Sequence, residues 1–146
     1  GFVLHNRALG FALDPAHPNA VAPGKRPYHT IIPAMLGRDG SFLGALGVVG
    51  GFQQPQGQLQ ILRGLFEEGL APQAALDRPR FRSLGGRRVG FERSFDRELV
   101  RALAGRGHEV SELSRFEAGG AQLILLEDDR YVGASDRRKD GYVGVC

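Results

Sequence analysis

The pattern with the clearest potential for chemistry is a pair of glycines between an apolar run and a helix-like pattern, "VVGGFQQPQG" at residues 48–57. Glycine has no Cβ, so it adopts backbone conformations that other residues avoid and lets another group approach the main chain closely. Gly50 and Gly51 could form an ordinary strand-to-helix turn. Alternatively, they could provide bare backbone to which another group comes close.

Length and composition limit the possible classes of protein. The chain has 146 residues, of which 42% are hydrophobic and 24% charged, as in a globular protein of about one domain. No run of about 18 apolar residues predicts a membrane-spanning helix, so no membrane partner is expected. No signal peptide is visible, although a chain that begins with Gly1 can lack its true N-terminus. A single cysteine, Cys146, leaves the compartment open, with the cytoplasm favoured over the periplasm.

Nineteen basic residues exceed sixteen acidic ones, which gives a net charge of +3. Arginines cluster at 78–82, 87–88 and 137–139, but aromatic residues do not alternate with them as a nucleic-acid stacking surface requires. We therefore expect these clusters to be solvated and expect no nucleic-acid partner. Three histidines stand in separate stretches without metal-ligand spacing, so neither a metal nor a cofactor is expected: His5, His17 and His108.

The first part of the chain predicts a long connection followed by a hairpin. Four prolines within residues 15–27 exclude a helix or a central strand there. "HTIIPAML" predicts a strand, Asp39-Gly40 a tight turn, and "SFLGALGVV" the returning strand. Pro33 indicates a bulge or a free edge in the first of these strands.

The rest of the chain predicts two helices over residues 54–81, a strand in "RRVGFE", a helix in "SFDRELVRALAGRGH", a strand in "EVSEL" and a second hairpin in "AQLILLEDDRYVGAS". The third helix should be capped by Ser94 or Asp96. Because consecutive strands are expected to pair as hairpins, the pattern favours an α+β fold with antiparallel sheets. The predicted apolar stripe of the first helix consists of Leu59, Leu62, Leu65 and Phe66.

Four stretches carry a resemblance to a known family: "PNAVAPGKRPYHTIIPAML", "GALGVVGGFQQPQGQLQILRGLFEEGLAPQAALDRPRF", "RALAGRGHEV" and "YVGASDRRKDG". With them the chain resembles, over nearly its full length, the C-terminal part of the small subunit of γ-glutamyltranspeptidases. "RPYHTIIP" and "GGFQQPQG" resemble the bacterial γ-glutamyltranspeptidase-like branch. The resemblance implies part of an N-terminal nucleophile hydrolase fold, in which two antiparallel sheets lie between helical layers.

The resemblance also implies how the parent protein works. Such enzymes cut their own precursor to expose a threonine, whose hydroxyl attacks a γ-glutamyl amide while its α-amine acts as base. The single threonine here, Thr30, does not match that nucleophile, which precedes the segment that begins at Gly1. We therefore expect residues 1–146 to be a single C-terminal fragment, inactive alone, whose partners are the rest of the same precursor and a small-molecule substrate. Unpaired strand edges should also promote self-association of the isolated chain.

Site residues follow from the same resemblance. Gly50 and Gly51 match a double glycine whose backbone N–H groups form an oxyanion hole. His29 and Thr30 match two serines that hold the substrate α-carboxylate; His29 could donate from its ring or simply pack in the hairpin. Arg7 and Gly10 match residues that bind the α-amino group. Arg7 instead suits a carboxylate, or it is a solvated loop residue.

The function implied for the parent is transfer or hydrolysis of γ-glutamyl or related acyl amides, as in glutathione metabolism. Because Arg7 has the wrong charge for an ammonium group, we expect the parent to prefer acyl groups that lack the α-amine. Two alternatives stay open. One is a non-catalytic binding module with the same fold, and the other is a structural or assembly domain. Asp136, in "GASDRR", is interpreted as structural.

Overall fold

The computed structural model describes residues 1–2 and 4–145, and the chain divides into two compact units, Gly1–Ile31 and Ile32–Cys146. Cys146 itself lies outside the described residues. In the first unit, residues 7–10 form a short 3₁₀ helix, and an isolated bridge joins Ala12 to Ala20. Turns without a helix follow over residues 15–27, as the proline content predicts.

A four-stranded sheet is the centre of the second unit. Its strands are β1 (Ala34–Arg38), β2 (Ser41–Val49), β6 (Gly120–Glu127) and β7 (Arg130–Ser135), in the order β1-β2-β6-β7 with all neighbours antiparallel. Both predicted hairpins are confirmed. The first turns at Asp39 and Gly40, whose φ angles of 51° and 80° are those of a tight hairpin turn. Strand β1 starts later than predicted because Pro33 has no N–H to donate to the ladder.

Helices α1 (Gln53–Phe66) and α2 (Pro72–Asp77) lie where the sequence predicts them and pack on one face of this sheet. The predicted apolar stripe of α1 is only partly right, since Leu59 is 66% exposed. The helix instead turns Gly57 toward the sheet, where a Cβ would lie 3.0 Å from the Val48 side chain. The resulting core consists of Leu46, Val48, Ile61, Leu65, Ala75, Leu76, Ala121, Leu123, Leu125 and Ala134.

A second sheet contains β3 (Phe81–Gly85), β4 (Arg88–Phe91) and β5 (Glu109–Glu112), with α3 (Arg97–Gly105) between the last two strands. Asp96 caps α3 through hydrogen bonds donated by the N–H groups of Glu98 and Leu99, as predicted. Two features differ from the prediction. Strand β3 was not predicted, and β4 pairs with β5 in parallel because α3 crosses over between them. No helix in the described part of the chain is long and apolar enough to cross a bilayer.

Four charged side chains form a buried network that corrects the expectation of solvated arginine clusters. Arg80 donates to Asp136 Oδ2 (2.7 Å), and Arg138 donates to Asp136 Oδ1 (3.1 Å). Arg138 also donates two hydrogen bonds to Glu92, from Nε to Oε1 (2.7 Å) and from Nη2 to Oε2 (2.6 Å). Arg80 and Asp136 are each 1% exposed. Charged groups are buried to this extent only when they are paired, and here each carboxylate has arginine partners.

The pKa of Asp136 lies below its ordinary value. Burial by itself would raise this pKa, but the N–H donated by Arg138, the positive charge of Arg80 and the N–H donated by Ala121 outweigh burial. An Asp in an unfolded chain has a pKa of about 3.9. The ionised carboxylate therefore stabilises the fold above that pH, and its contribution is lost as the pH falls through the lower folded-state pKa.

Replacing Asp136→Asn should lower the free energy of unfolding by about 3–5 kcal/mol, because two buried arginines lose a charged partner. Asp77→Asn is the matched control, since Asp77 pairs with Arg137 at 3.7 Å on the surface and should change stability little. Urea unfolding at neutral pH measures both variants. The same experiment between pH 5 and 2 should show a flatter loss of stability in Asp136→Asn than in the unmodified protein. Equal effects of the two substitutions would contradict the structural role given to the buried network.

Candidate active site

The double glycine connects the end of β2 to the start of α1, so the predicted strand-to-helix turn is present. Gly50 has φ 128° and Gly51 has φ 59°. Both values lie in the range that glycine adopts easily and L-residues rarely adopt. The backbone conformation therefore requires glycine at both positions, independently of any catalytic role.

Peptide geometry determines where the two N–H groups point. In a trans peptide the C=O and the following N–H lie on opposite sides of the bond. The Gly50 carbonyl accepts from the N–H of Gln53 (3.1 Å), so the N–H of Gly51 is directed away from the first turn of α1. The Val49 carbonyl faces Gly119, where a Cβ would lie 2.5 Å from its oxygen, so the N–H of Gly50 is directed away from Gly119. Within residues 1–2 and 4–145, neither N–H donates a hydrogen bond.

Two residues enclose Gly50 from the side of the core. A Cβ on Gly50 would lie 3.1 Å from Gly119 Cα and 3.3 Å from Gln53 Cβ. Gln53 is completely buried, and its Nε2 donates to the carbonyl of Phe81 (3.2 Å). Sequence reasoning missed both residues. The sequence signal for Gly119 is the second glycine pair, in "EAGGAQL". That pair lies beside Gly50 only because strand β2 pairs with strand β6, which the sequence does not reveal.

The substrate residues predicted by resemblance lie in the first unit, whereas Gly50 and Gly51 lie in the second. Arg7 is the first residue of the 3₁₀ helix, and its guanidinium forms no ion pair among the described residues. His29 is exposed, and its Nδ1 accepts from the N–H of Ile31 (3.2 Å). In a neutral ring this places the proton on Nε2, which can donate. Thr30 is partly buried.

Gly10 ends the 3₁₀ helix and is closely covered. A Cβ at this position would lie 2.6 Å from Cε1 of Tyr28, and Asn19 Nδ2 donates to the Gly10 carbonyl (2.6 Å). A longer side chain at residue 10 therefore requires the Tyr28 ring to move. In the described part of the chain no group of three His, Cys, Asp or Glu side chains could hold a metal ion.

The family follows from comparison with known proteins. A model of the family described as gamma-glutamyltranspeptidase matches residues 1–146. The chain belongs to the γ-glutamyltranspeptidase family. The resemblance carried by the four sequence stretches is thereby confirmed.

Two curated members of the γ-glutamyltranspeptidase family illustrate the range of relatives. The "Glutathione hydrolase-like YwrD proenzyme" of Bacillus subtilis is 33% identical over 149 residues, and the "Oxamate amidohydrolase proenzyme" of Klebsiella pneumoniae is 34% identical over 151 residues. Each match covers 97% of this chain and 28% of the relative. The chain thus spans little more than a quarter of the length of these relatives.

Solved structures support the same assignment. A cephalosporin acylase from Bacillus halodurans is 41% identical with a TM-score of 0.85, over 94% of this chain and 26% of that one. A γ-glutamyltranspeptidase from Pseudomonas nitroreducens is 22% identical with a TM-score of 0.87, over 100% of this chain and 82% of that one, and it supports the fold alone. The expected fold, a portion of an N-terminal nucleophile hydrolase with α+β architecture, is confirmed.

Three of the turn glycines, Gly50, Gly51 and Gly86, should differ in how far an added methyl group destabilises the fold. Gly51→Ala and Gly86→Ala place Cβ in open space at φ 59° and 58°, so each should lower the free energy of unfolding by about 1–2 kcal/mol. Gly50→Ala should lower it more, because φ 128° is less accessible and Cβ meets the Gly119 backbone. Urea unfolding of the three variants measures the order. A Gly50→Ala variant as stable as the other two would contradict the packing described for this turn.

Proposed function

We propose that the chain is the oxyanion-binding part of a γ-glutamyltranspeptidase-like amidohydrolase or acyltransferase. The observation that carries the proposal is the pair of adjacent N–H groups, of Gly50 and Gly51, that donate to no described acceptor and are held by a turn requiring glycine. Membership of the family, whose curated members here are named as proenzymes and hydrolases, supports an enzymatic parent.

In the proposed reaction a threonine hydroxyl from outside these 146 residues attacks the carbonyl carbon of an acyl amide, and the threonine α-amine takes the proton. The carbonyl oxygen becomes an oxyanion, which accepts hydrogen bonds from the N–H groups of Gly50 and Gly51. Collapse of this intermediate expels the amine, which takes up the proton, and leaves an acyl-threonine ester. Water or an acceptor amine then releases the acyl group through a second oxyanion at the same position.

The rest of the precursor is the proposed partner of the four-stranded sheet. One face of the sheet carries the core, and the register brings Met35, Ala45 and Ile124 side by side on the other face. Met35 is 74% and Ile124 39% exposed. In the proposed sandwich the second sheet of the parent covers this apolar face. Self-association of the isolated chain through the same face stays a prediction.

An acyl donor that carries a carboxylate but no α-ammonium fits the first unit best. Arg7 offers a guanidinium and Thr30 a hydroxyl, both suited to a carboxylate, whereas an ammonium beside Arg7 would be repelled. Tyr28 covers Gly10, where an acidic partner for an ammonium would be needed. Relatives named oxamate amidohydrolase and cephalosporin acylase support a family range beyond γ-glutamyl donors.

Gly51→Ala in the complete protein should lower kcat for an anilide substrate by about tenfold to a hundredfold, because the methyl group and the altered φ displace an oxyanion donor. KM should stay nearly constant, since the oxyanion exists only in the transition state and intermediate. Gly86→Ala imposes the same backbone strain in the β3–β4 turn and serves as the control. Equal kcat in the two variants would contradict the proposed oxyanion role. A complete protein that binds acyl amides without turning them over would favour the binding-module alternative.

The donor preference gives a second expectation for the complete protein. Its kcat/KM should be higher for glutaryl-p-nitroanilide than for γ-glutamyl-p-nitroanilide, and Arg7→Gln combined with Gly10→Asp should shift the ratio toward the γ-glutamyl donor. Tyr28→Ala in the same background provides space for the new side chain. Arg26→Gln, an exposed arginine of the same unit, is the control and should leave the ratio unchanged. Suppose the ratio of kcat/KM for the glutaryl donor to that for the γ-glutamyl donor is well below one. If neither the double variant nor its combination with Tyr28→Ala alters that ratio, Arg7 and Gly10 do not face the acyl group.

A further inference from the structure

We infer that Gly119, clamped by Arg80 and Asp136, is a positioning residue that orients the N–H of Gly50 toward the oxyanion. This inference rests on the proposed function of the double glycine and adds residues that contact neither substrate nor nucleophile. It follows from the contacts around the segment 118–121, which leads into strand β6.

The contact between Gly119 and Val49 is the first step. A Cβ at residue 119 would lie 2.5 Å from the carbonyl oxygen of Val49, and Gly119 has φ 75°, so this position has two separate reasons to be glycine. The Val49 carbonyl and the N–H of Gly50 belong to one planar peptide unit. A side chain at residue 119 would push the Val49 carbonyl oxygen aside, and this would rotate the Gly50 N–H, the proposed oxyanion donor, with it.

The clamp on the segment 118–121 is the second step. Arg80 Nη1 donates to the Ala118 carbonyl (3.2 Å), and the N–H of Ala121 donates to Asp136 Oδ2 (2.9 Å). Arg80 and Asp136 are themselves joined by a 2.7 Å ion pair. One buried pair thus holds both ends of the short segment that contains Gly119.

The third step separates this clamp from the rest of the buried network. Arg138 is also buried, but its guanidinium donates to Glu92, Asp136 and the carbonyls of Leu76 and Arg78. It makes no hydrogen bond to residues 118–121 among the described contacts. Arg138 therefore stabilises the same network without a described hydrogen bond to the segment 118–121, which makes it a matched comparison for Arg80.

The test measures kcat, KM and inhibitor affinity in the complete protein. Gly119→Ala should lower kcat about tenfold or more and leave KM within about twofold, since the lost interaction forms only with the oxyanion. A phosphonate that mimics the tetrahedral intermediate should lose affinity in the same proportion as kcat/KM, which mere loosening of the fold would not produce. Gly40→Ala is the control, because Gly40 has a similar φ of 80° with nothing within 4 Å of its Cβ.

A second pair of variants keeps the inference testable if Gly119→Ala does not fold. Arg80→Lys retains the charge beside Asp136 but loses the hydrogen bond that Nη1 donates to the Ala118 carbonyl, and it should lower kcat and phosphonate affinity together. Arg138→Lys should cost stability while leaving both quantities close to the unmodified values.

The outcomes separate the inference from the function on which it rests. If Gly51→Ala behaves like Gly86→Ala, the proposed oxyanion role itself fails. If Gly51→Ala lowers kcat but Gly119→Ala behaves like Gly40→Ala, the double glycine acts without support from Gly119 and the inference is overturned. Equal kcat in Arg80→Lys and Arg138→Lys would overturn it as well.

Discussion

The ion pair between Arg80 and Asp136 connects parts of the chain that are far apart in sequence. Asp136 follows strand β7, Arg80 precedes β3, and together they bind both ends of the segment that enters β6. A buried pair of this kind repays the loss of hydration only when its geometry is good and the remaining polar atoms are satisfied. Most of these atoms bond to backbone groups here, so the pair fixes main-chain positions rather than simply adding stability.

The backbone of the double glycine depends on this arrangement. The pairing of β2 with β6 places Gly50 beside Gly119. Helix α1 begins with Gln53, whose side chain packs against Gly50 and Gly119. The Gly50 carbonyl accepts from the N–H of Gln53, which fixes the peptide plane that contains the Gly51 N–H. The Val49 carbonyl lies against Gly119 and shares its plane with the Gly50 N–H, so both glycine donors are oriented without a side chain. Donors fixed before the substrate arrives need no reorganisation when charge develops, which is the physical basis of oxyanion stabilisation.

Local chemistry allowed much of the fold to be predicted. Strand β2 and the Asp39-Gly40 turn agree with the prediction, because an apolar strand pattern and a hairpin dipeptide determine structure over only a few residues. Strand β3 was not predicted, because its arginines and the preceding proline obscure the alternation of apolar and polar residues that indicates a strand. The buried roles of Arg80 and Arg138 were also missed, since a charged residue is buried only with a partner, and Asp136 is 56 positions from Arg80. The candidate site was predicted by resemblance, whereas Gly119 became visible only through strand pairing.

The most direct test of the central claim is a crystal structure of the complete protein with a phosphonate adduct on its nucleophile. The measured quantities are the distances from the backbone nitrogens of Gly50 and Gly51 to the negatively charged oxygen of the adduct. The account predicts that both distances fall at about 2.7–3.1 Å, with that oxygen on the side opposite Gly119. An oxygen bound by other donors, with both glycine nitrogens beyond about 4 Å, would contradict it.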